Sequence, residues 1–358
     1  MKYLFPFLLT VGLFLNISSA RRGNDLFQVI SSHPHDVEEL SPHINTVYQN
    51  GRLWVVQLKD NAPSEILSHL KPLSGHEKSY LHEGQWISNS GLKKKNDGIK
   101  LLVNQVDKEA IHKDVEMLAS YKTRSAGSAD NQHAVKTVGL RFQDMGYEVS
   151  EICYREGVCS VIAEKKGSIE PGKVMMVMGH IDSVGATFAG ADDNASGTAV
   201  ILEMARVLKD IKNKKTIRFF VTNGEELGLI GATHYAKFLA DANRIKELAL
   251  VINMDMVGYN SNGIVELETE PEHEELAKWF AGLATKYTKL KTKITLGAWG
   301  SDHVPFLKKG VPTILTIENW DTKTPCYHME CDKPETLNYD YAAEIAKLNV
   351  SAILNKDL

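Results

Sequence analysis

Downstream of Val106 the chain alternates between short, nearly continuous apolar runs and longer stretches whose apolar positions recur with a helical period. The runs at residues 174–178, 217–222, 248–254 and 313–317 are too brief for helices and predict strands buried on both faces. Between them the spacing predicts helices over 107–121, 199–208 and 232–239. A further helix carries Val135, Val138, Phe142 and Met145 on one face and stops at Gly146. This alternation predicts an α/β fold whose mostly parallel central sheet is flanked by helices on both faces.

The first hundred residues read differently. Lys2 precedes an apolar stretch over 4–17 and then Ser18-Ser19-Ala20, a small-residue cleavage pattern, so residues 1–20 are expected to be a signal peptide. A membrane anchor needs about 20 apolar residues, and this run is shorter. The product is expected to be secreted or periplasmic, without stable membrane insertion. From 21 to about 87, apolar segments such as Leu53-Trp54-Val55-Val56-Gln57-Leu58 and a short helical stretch at 66–70 suggest a small α/β unit. Ser88-Asn89-Ser90-Gly91 and Lys93-Lys94-Lys95-Asn96-Asp97-Gly98 lack periodicity and read as an exposed, cleavable linker. The expected organisation is therefore a unit with linker over 21–100 and a catalytic domain over 101–358.

Composition excludes little but sharpens some choices. With 43% hydrophobic and 24% charged residues the chain is ordinary globular material, and a net charge of -4 provides no electrostatic footprint for nucleic acid. Export makes the four cysteines candidates for disulfides. Their spacing suggests local bridges, Cys153 with Cys159 and Cys326 with Cys331, among three possible pairings. Neither pair has the spacing of a structural zinc site.

Candidate chemistry collects where predicted strands end, the edge at which open α/β sheets build their functional crevice. Residues 174–178 lead into Gly179-His180-Ile181-Asp182, 217–222 into Asn223-Gly224-Glu225-Glu226, and 248–254 into Asp255. A histidine at a strand end suits zinc, and a carboxylate two residues on can orient its ring. Gly190-Ala191-Asp192-Asp193-Asn194-Ala195-Ser196-Gly197 could be a helix cap, but capping needs one carboxylate and leaves the other to bridge cations. Of Glu225 and Glu226, one can bind metal while its neighbour acts as a general base. Asp255, buried by its apolar run, would cost several kcal/mol unless paired or metal-bound. His328, on a loop after the last strand, supplies a second imidazole. Mixed nitrogen and oxygen ligation suits zinc, with cobalt or manganese as substitutes. Five ligands exceed the three of one open catalytic zinc, and two Zn2+ sharing a carboxylate would use them all.

With His180-Ile181-Asp182, the segment 190–197, Glu225-Glu226, Met254-Asp255-Met256, Ser301-Asp302-His303 and His328 in this order, the chain from about Val106 to its end resembles the M28 zinc aminopeptidases, the family of the secreted bacterial leucyl aminopeptidases. The resemblance implies that His180 and Asp255 bind one zinc, Glu226 and His328 the other, and that Asp193 bridges them. It further implies that Asp182 orients His180, that Glu225 is the general base and later returns the proton to the leaving amine, and that the Asp193-Asn194 peptide is strained and often cis. Relatives carry an N-terminal prosegment that assists folding and blocks the site, a role that 21–100 fits by position and size, with a permanent accessory domain as the alternative. Two departures stand out. Gly297-Ala298-Trp299-Gly300 has no counterpart of the relatives' oxyanion tyrosine, and Asn194 replaces an aspartate found in some of them.

The expected activity is hydrolysis of the N-terminal peptide bond of peptides or proteins by a monomer. A single-zinc cyclase acting on N-terminal glutamine and a non-catalytic, receptor-like ectodomain are the alternatives, and the five-ligand set speaks against both. Carboxypeptidase relatives often carry an inserted domain for which the spacing here leaves no room. The preferred first residue of the substrate is not legible, leucine-like and basic side chains both being open.

Overall fold

Alternate residues of a central apolar run serve two different cores. Along the strand Glu170–His180, Met175 and Val177 join one buried cluster while Val174, Met176 and Met178 join the other, on the opposite face of the sheet. A strand covered on both sides has no solvated face, so its sequence shows no alternation.

The computed structural model describes residues 26–30, 42–50, 53–59, 71–72, 95–185, 188–260, 262–298 and 300–357. They fall into two units, Met1–Tyr80 and Leu81–Leu358. In the first, strands β1 (Leu26–Ile30), β2 (Ile44–Asn50), β3 (Leu53–Leu58) and β4 (Lys71–Pro72) form an antiparallel sheet in the order β2-β3-β1-β4. The signal peptide and the helical stretch at 66–70 lie outside the described residues.

The second unit holds an eight-stranded sheet of β5 (Glu148–Arg155), β6 (Val158–Lys165), β7 (Glu170–His180), β8 (Lys215–Thr222), β9 (Leu248–Met254), β10 (Ile264–Thr269), β11 (Lys291–Leu296) and β12 (Thr313–Glu318), in the order β11-β10-β12-β9-β7-β8-β6-β5. The central four, β12, β9, β7 and β8, run parallel. Antiparallel pairing enters at β10–β12, β8–β6 and β6–β5. The expected mostly parallel sheet is thus its centre. Strands β10 and β11 carry no apolar run, because charged and polar residues interrupt them, and the sequence reading missed both.

Helices α1 (Lys95–Val103), α2 (Lys108–Ala119), α3 (Ala129–Asp144), α4 (Gly197–Leu208), α5 (Ile230–Asp241), α6 (Glu274–Tyr287), α7 (Val304–Leu307) and α8 (Tyr339–Asp357) cover the sheet. Local signals set several ends. Asp107 caps α2 by accepting from the Glu109 N–H at 2.9 Å. Helix α3 closes at Gly146, whose φ of 87° lets Tyr147 N–H reach the Phe142 carbonyl and Gly146 N–H reach that of Gln143. Helix α4 is buried along almost its whole length, which explains its apolar character all round.

Helix α1 corrects the linker. Residues 95–98 were read as exposed chain, yet they open a helix on which Ile99 and Val103, one turn apart, are 0% and 1% exposed within the larger core. Gly98 and the polar residues around it weaken the local helix signal, and burial of the Ile99/Val103 face outweighs it. The domain boundary expected at residue 100 therefore falls inside a helix.

Candidate metal centre

Strands β9, β7 and β8 are parallel neighbours, so their carboxyl ends share one edge. His180 is the last residue of β7, Asp255 directly follows β9, and Glu225 and Glu226 lie just past β8. Asp193 comes from the turn Ala191–Ser196 ahead of α4, and its peptide bond to Asn194 is cis. The glycines bounding that turn have steric reasons. A Cβ on Gly190 would sit 2.5 Å from the Asp193 carbonyl oxygen, and one on Gly197 2.3 Å from Asn194 Oδ1.

These side chains converge. His180 Nε2 lies 3.2 Å from Asp193 Oδ1 and 3.2 Å from Asp255 Oδ1. On the other side of Asp193, His328 Nε2 lies 3.1 Å from its Oδ2 and 3.2 Å from Glu226 Oε2. His328 arrives on a loop closed by the disulfide Cys326–Cys331, and Cys153–Cys159 closes the hairpin between β5 and β6, the two local bridges expected.

The surroundings hold each group in place. Ser301 Oγ donates to Asp255 Oδ2 at 2.6 Å and accepts from Asn253 Nδ2 at 2.8 Å. His180 Nδ1 faces the Asp182 carbonyl oxygen at 3.0 Å, closer than the Asp182 carboxylate at 3.6 Å. That carboxylate accepts the backbone N–H of Glu225 and of Glu226, both at 3.2 Å, and so fixes the segment after β8 as well as the ring. Asn194 ties the turn to β9, donating to the Met254 carbonyl at 3.0 Å and accepting from Met256 N–H. Asp302 accepts from the Thr222 hydroxyl at the end of β8.

Several contributors escaped the sequence reading. Asp332 accepts the N–H groups of Asp192 and Asp193 at 2.7 and 3.0 Å. Arg124, 0% exposed, donates to the carbonyls of Leu118, Ile181, Ala189 and Gly190. Neither belongs to a motif that the sequence pattern singled out, so no local signal marked them. Tyr327 stacks on His328 with ring centroids 3.8 Å apart and lines the cavity beside the cluster. Its position next to His328 was the one available clue.

So much negative charge in a buried place needs a positive counterpart. Burial, reinforced by Asp255, Asp302 and Glu226 and only partly offset by His180, pushes the Glu225 carboxyl up to about 10. Hydrogen bonds to Asp193 and Glu226 push His328 up to about 10. Glu226 Oε1 is buried with no hydrogen-bond partner. Cations would satisfy the same demand. Donors about 2.0–2.1 Å from a tetrahedral ion stand roughly 3.3 Å from one another, close to the nitrogen–oxygen separations of 3.1–3.2 Å on either side of Asp193. Two imidazoles and three carboxylates without thiolate suit zinc, so the residues fit such ions.

Comparison with known proteins places this geometry in a context. A model of peptidase family M28 matches residues 160–353. Aminopeptidase YwaD of Bacillus subtilis is 33% identical over 198 residues, 53% of this chain and 42% of that relative, so the chain spans under half the relative's length. The Legionella pneumophila LapA aminopeptidase structure superposes with a TM-score of 0.69 over 93% of this chain and 98% of its own, at 18% identity. A Porphyromonas gingivalis glutaminyl cyclase superposes with a TM-score of 0.59 over 71% and 99%, at 20% identity. At these identities the two structural likenesses concern the fold alone. The family match runs from β6 into α8 and takes in every strand end from which the cluster is built, and on that ground the chain belongs to peptidase family M28.

Proposed function

We propose that the chain is an exported aminopeptidase that binds two zinc ions and hydrolyses the N-terminal peptide bond of peptides. The observation that carries this reading is the position of Asp193, whose two carboxylate oxygens each face a different histidine, His180 at 3.2 Å and His328 at 3.1 Å. His180 and Asp255 would hold one ion, His328 and Glu226 the other, and Asp193 both. When bound, such ions would supply Lewis-acid polarisation of the scissile carbonyl and lower the pKa of the attacking water.

The remaining work falls to the chain. Glu225 lines the cavity beside the cluster and belongs to no His–Asp pair, so its carboxylate takes the proton from the attacking water and passes it to the leaving amine. Beside bound cations a carboxylate at this position would be stabilised in its charged form, as a base working at neutral pH requires. Asp182 orients His180 and ties down the segment that carries Glu225. Tyr327, which stacks on His328 and lines the cavity, is protonated at neutral pH like any tyrosine and would donate to the developing oxyanion. It would take the part for which the Gly297-Ala298-Trp299-Gly300 segment offers no tyrosine.

The residues 21–94 would act as a prosegment, and residues 1–20 as the export signal. Among the described residues no helix is long and apolar enough to cross a membrane.

The test compares wild-type protein with Glu225→Gln on aminoacyl anilides, with zinc content measured on the same samples. Glu225→Gln is expected to lose about 10²–10⁴-fold in kcat while zinc stays near two per chain, and a chelator should silence the wild type. One zinc per chain together with cyclisation of an N-terminal glutamine would replace this reading with the cyclase.

A further inference from the structure

The turn that carries Asp193 is held between two opposite charges. On its entry side the carbonyls of Ala189 and Gly190 accept from the buried guanidinium of Arg124. The next three N–H groups all end on one residue, Asp332. Ala191 N–H reaches its carbonyl oxygen at 3.4 Å, Asp192 N–H its Oδ1 at 2.7 Å and Asp193 N–H its Oδ2 at 3.0 Å. Asp332 is 2% exposed, so these backbone groups replace water around its carboxylate. Both oxygens are spent on the backbone from which the Asp193 side chain emerges.

Asp332 has a second connection. It follows Cys331, and its own N–H donates to the Met329 carbonyl at 3.0 Å, in the disulfide-closed loop that presents His328. This stretch therefore grips Asp193 twice. His328 Nε2 lies 3.1 Å from its Oδ2, and Asp332 holds its N–H. The other half of the cluster is anchored differently. His180 and Asp255 stand at the ends of central strands, where the Asp182 carbonyl and the Ser301 hydroxyl fix them. The His180 side chain is 1% exposed and that of His328 37%, so the loop side has less packing of its own to fall back on.

Resting on the two-ion reading of the cluster, we propose that Asp332 is a positioning residue that sets the bridging Asp193 against His328. It governs the ion site of His328, Glu226 and Asp193 far more than the site of His180, Asp255 and Asp193. An asparagine at 332 has one acceptor oxygen where two are needed, and its amide group turns a donor toward a donor. The turn and the His328 loop then lose their shared anchor, while His180 and Asp255 keep their strand ends. Groups that orient a ligand typically matter about 10–100-fold in metal affinity.

Competition between the full chain and a chromophoric zinc chelator measures the binding steps in wild type, Asp332→Asn and Asp357→Asn. Asp357 is a matched control, 2% exposed and accepting the N–H groups of Lys214 at 2.9 Å and Lys215 at 2.8 Å. It does so at the amino end of β8, the edge opposite the cluster. Asp332→Asn should weaken one zinc step by at least about tenfold and leave the other nearly unchanged. The weakened step should be the one that His328→Ala abolishes. Asp357→Asn should change neither, whatever either variant loses in melting temperature, so a merely structural role is separated from a positioning one. No change, a loss confined to the other step or shared equally by both, or the same loss in Asp357→Asn overturns the inference and leaves the two-ion reading intact. Should Asp332→Asn not fold, Asp332→Glu, with both acceptor oxygens on a longer stem, is judged by the same comparison. If the wild type binds fewer than two zinc ions, the two-ion reading falls instead. Crystal structures of metal-free wild type and variant then decide the inference alone: a wider Asp193 Oδ2 to His328 Nε2 separation in the variant sustains it, an equal one overturns it.

Discussion

The role proposed for Tyr327 would come from its neighbours. Tyr327 stacks on His328 and lines the cavity beside the cluster of His180, Asp193, Glu226, Asp255 and His328. A neutral hydroxyl donor beside the cluster would be useful where negative charge develops on a substrate oxygen. Tyr327→Phe keeps the ring and its stacking, so zinc content should not change, while kcat should drop about 10²-fold, the effect of losing one such donor. Metal analysis and steady-state kinetics on one preparation check both. Asn194 illustrates the opposite case. Its departure from aspartate matters structurally, because the amide both donates to the Met254 carbonyl and accepts from Met256 and Gly197 N–H groups. A carboxylate could accept those bonds but could not donate.

At the scale of elements, the parallel strands were legible because burial on both faces writes itself as an uninterrupted apolar run. Strand β5 is different. It lies at the edge of the sheet, and its burial pattern follows no strict alternation. Glu151 on this strand has its carboxyl pushed up to about 7 by burial, with Lys136 only partly opposing. A carboxyl that holds its proton more tightly in the folded than in the unfolded chain contributes stability that is fully present below its ordinary value of 4.5 and is lost as pH rises through about 7. Denaturant midpoints between pH 4.5 and 8 should therefore decline more in the wild type than in Glu151→Gln, whose neutral amide removes that part of the slope. Helix α1 shows a second limit of local reading. Its amphipathic face comprises Ile99 and Val103, too few apolar positions to establish a period in sequence, and the core they enter decides the matter.

For the whole molecule, the position of α1 sets where the chain can be cut. Removing residues through 94 leaves Ile99 and Val103 in the larger core, whereas removing residues through 103 withdraws both. At about 1.5–3 kcal/mol for each fully buried side chain, the longer truncation should lose roughly 3–6 kcal/mol. Unfolding of the two truncated proteins in urea measures the difference. If residues 21–94 block the site as a prosegment, the shorter truncation should also be the more active form.

The sequence by itself determined the central strands, most of the helices around them and the neighbourhood of the chemistry. A strand buried on both faces must be apolar throughout, and the carboxylates at its end interrupt that run visibly. His180, Glu225, Glu226 and Asp255 were legible for this reason, and His328 stood out between its two cysteines. Local pattern alone could not separate Asp193 from Asp192, since two adjacent carboxylates in a turn look alike; the resemblance singled out Asp193, and only the tertiary structure brings its two oxygens to face both histidines. It alone brought β10, β11 and the chain after β12 together to form a charged cavity wall, from Glu266, Glu268, Lys293 and Asp321. Charges so placed resemble solvated surface along the chain, because the pairing that buries them joins segments distant in sequence.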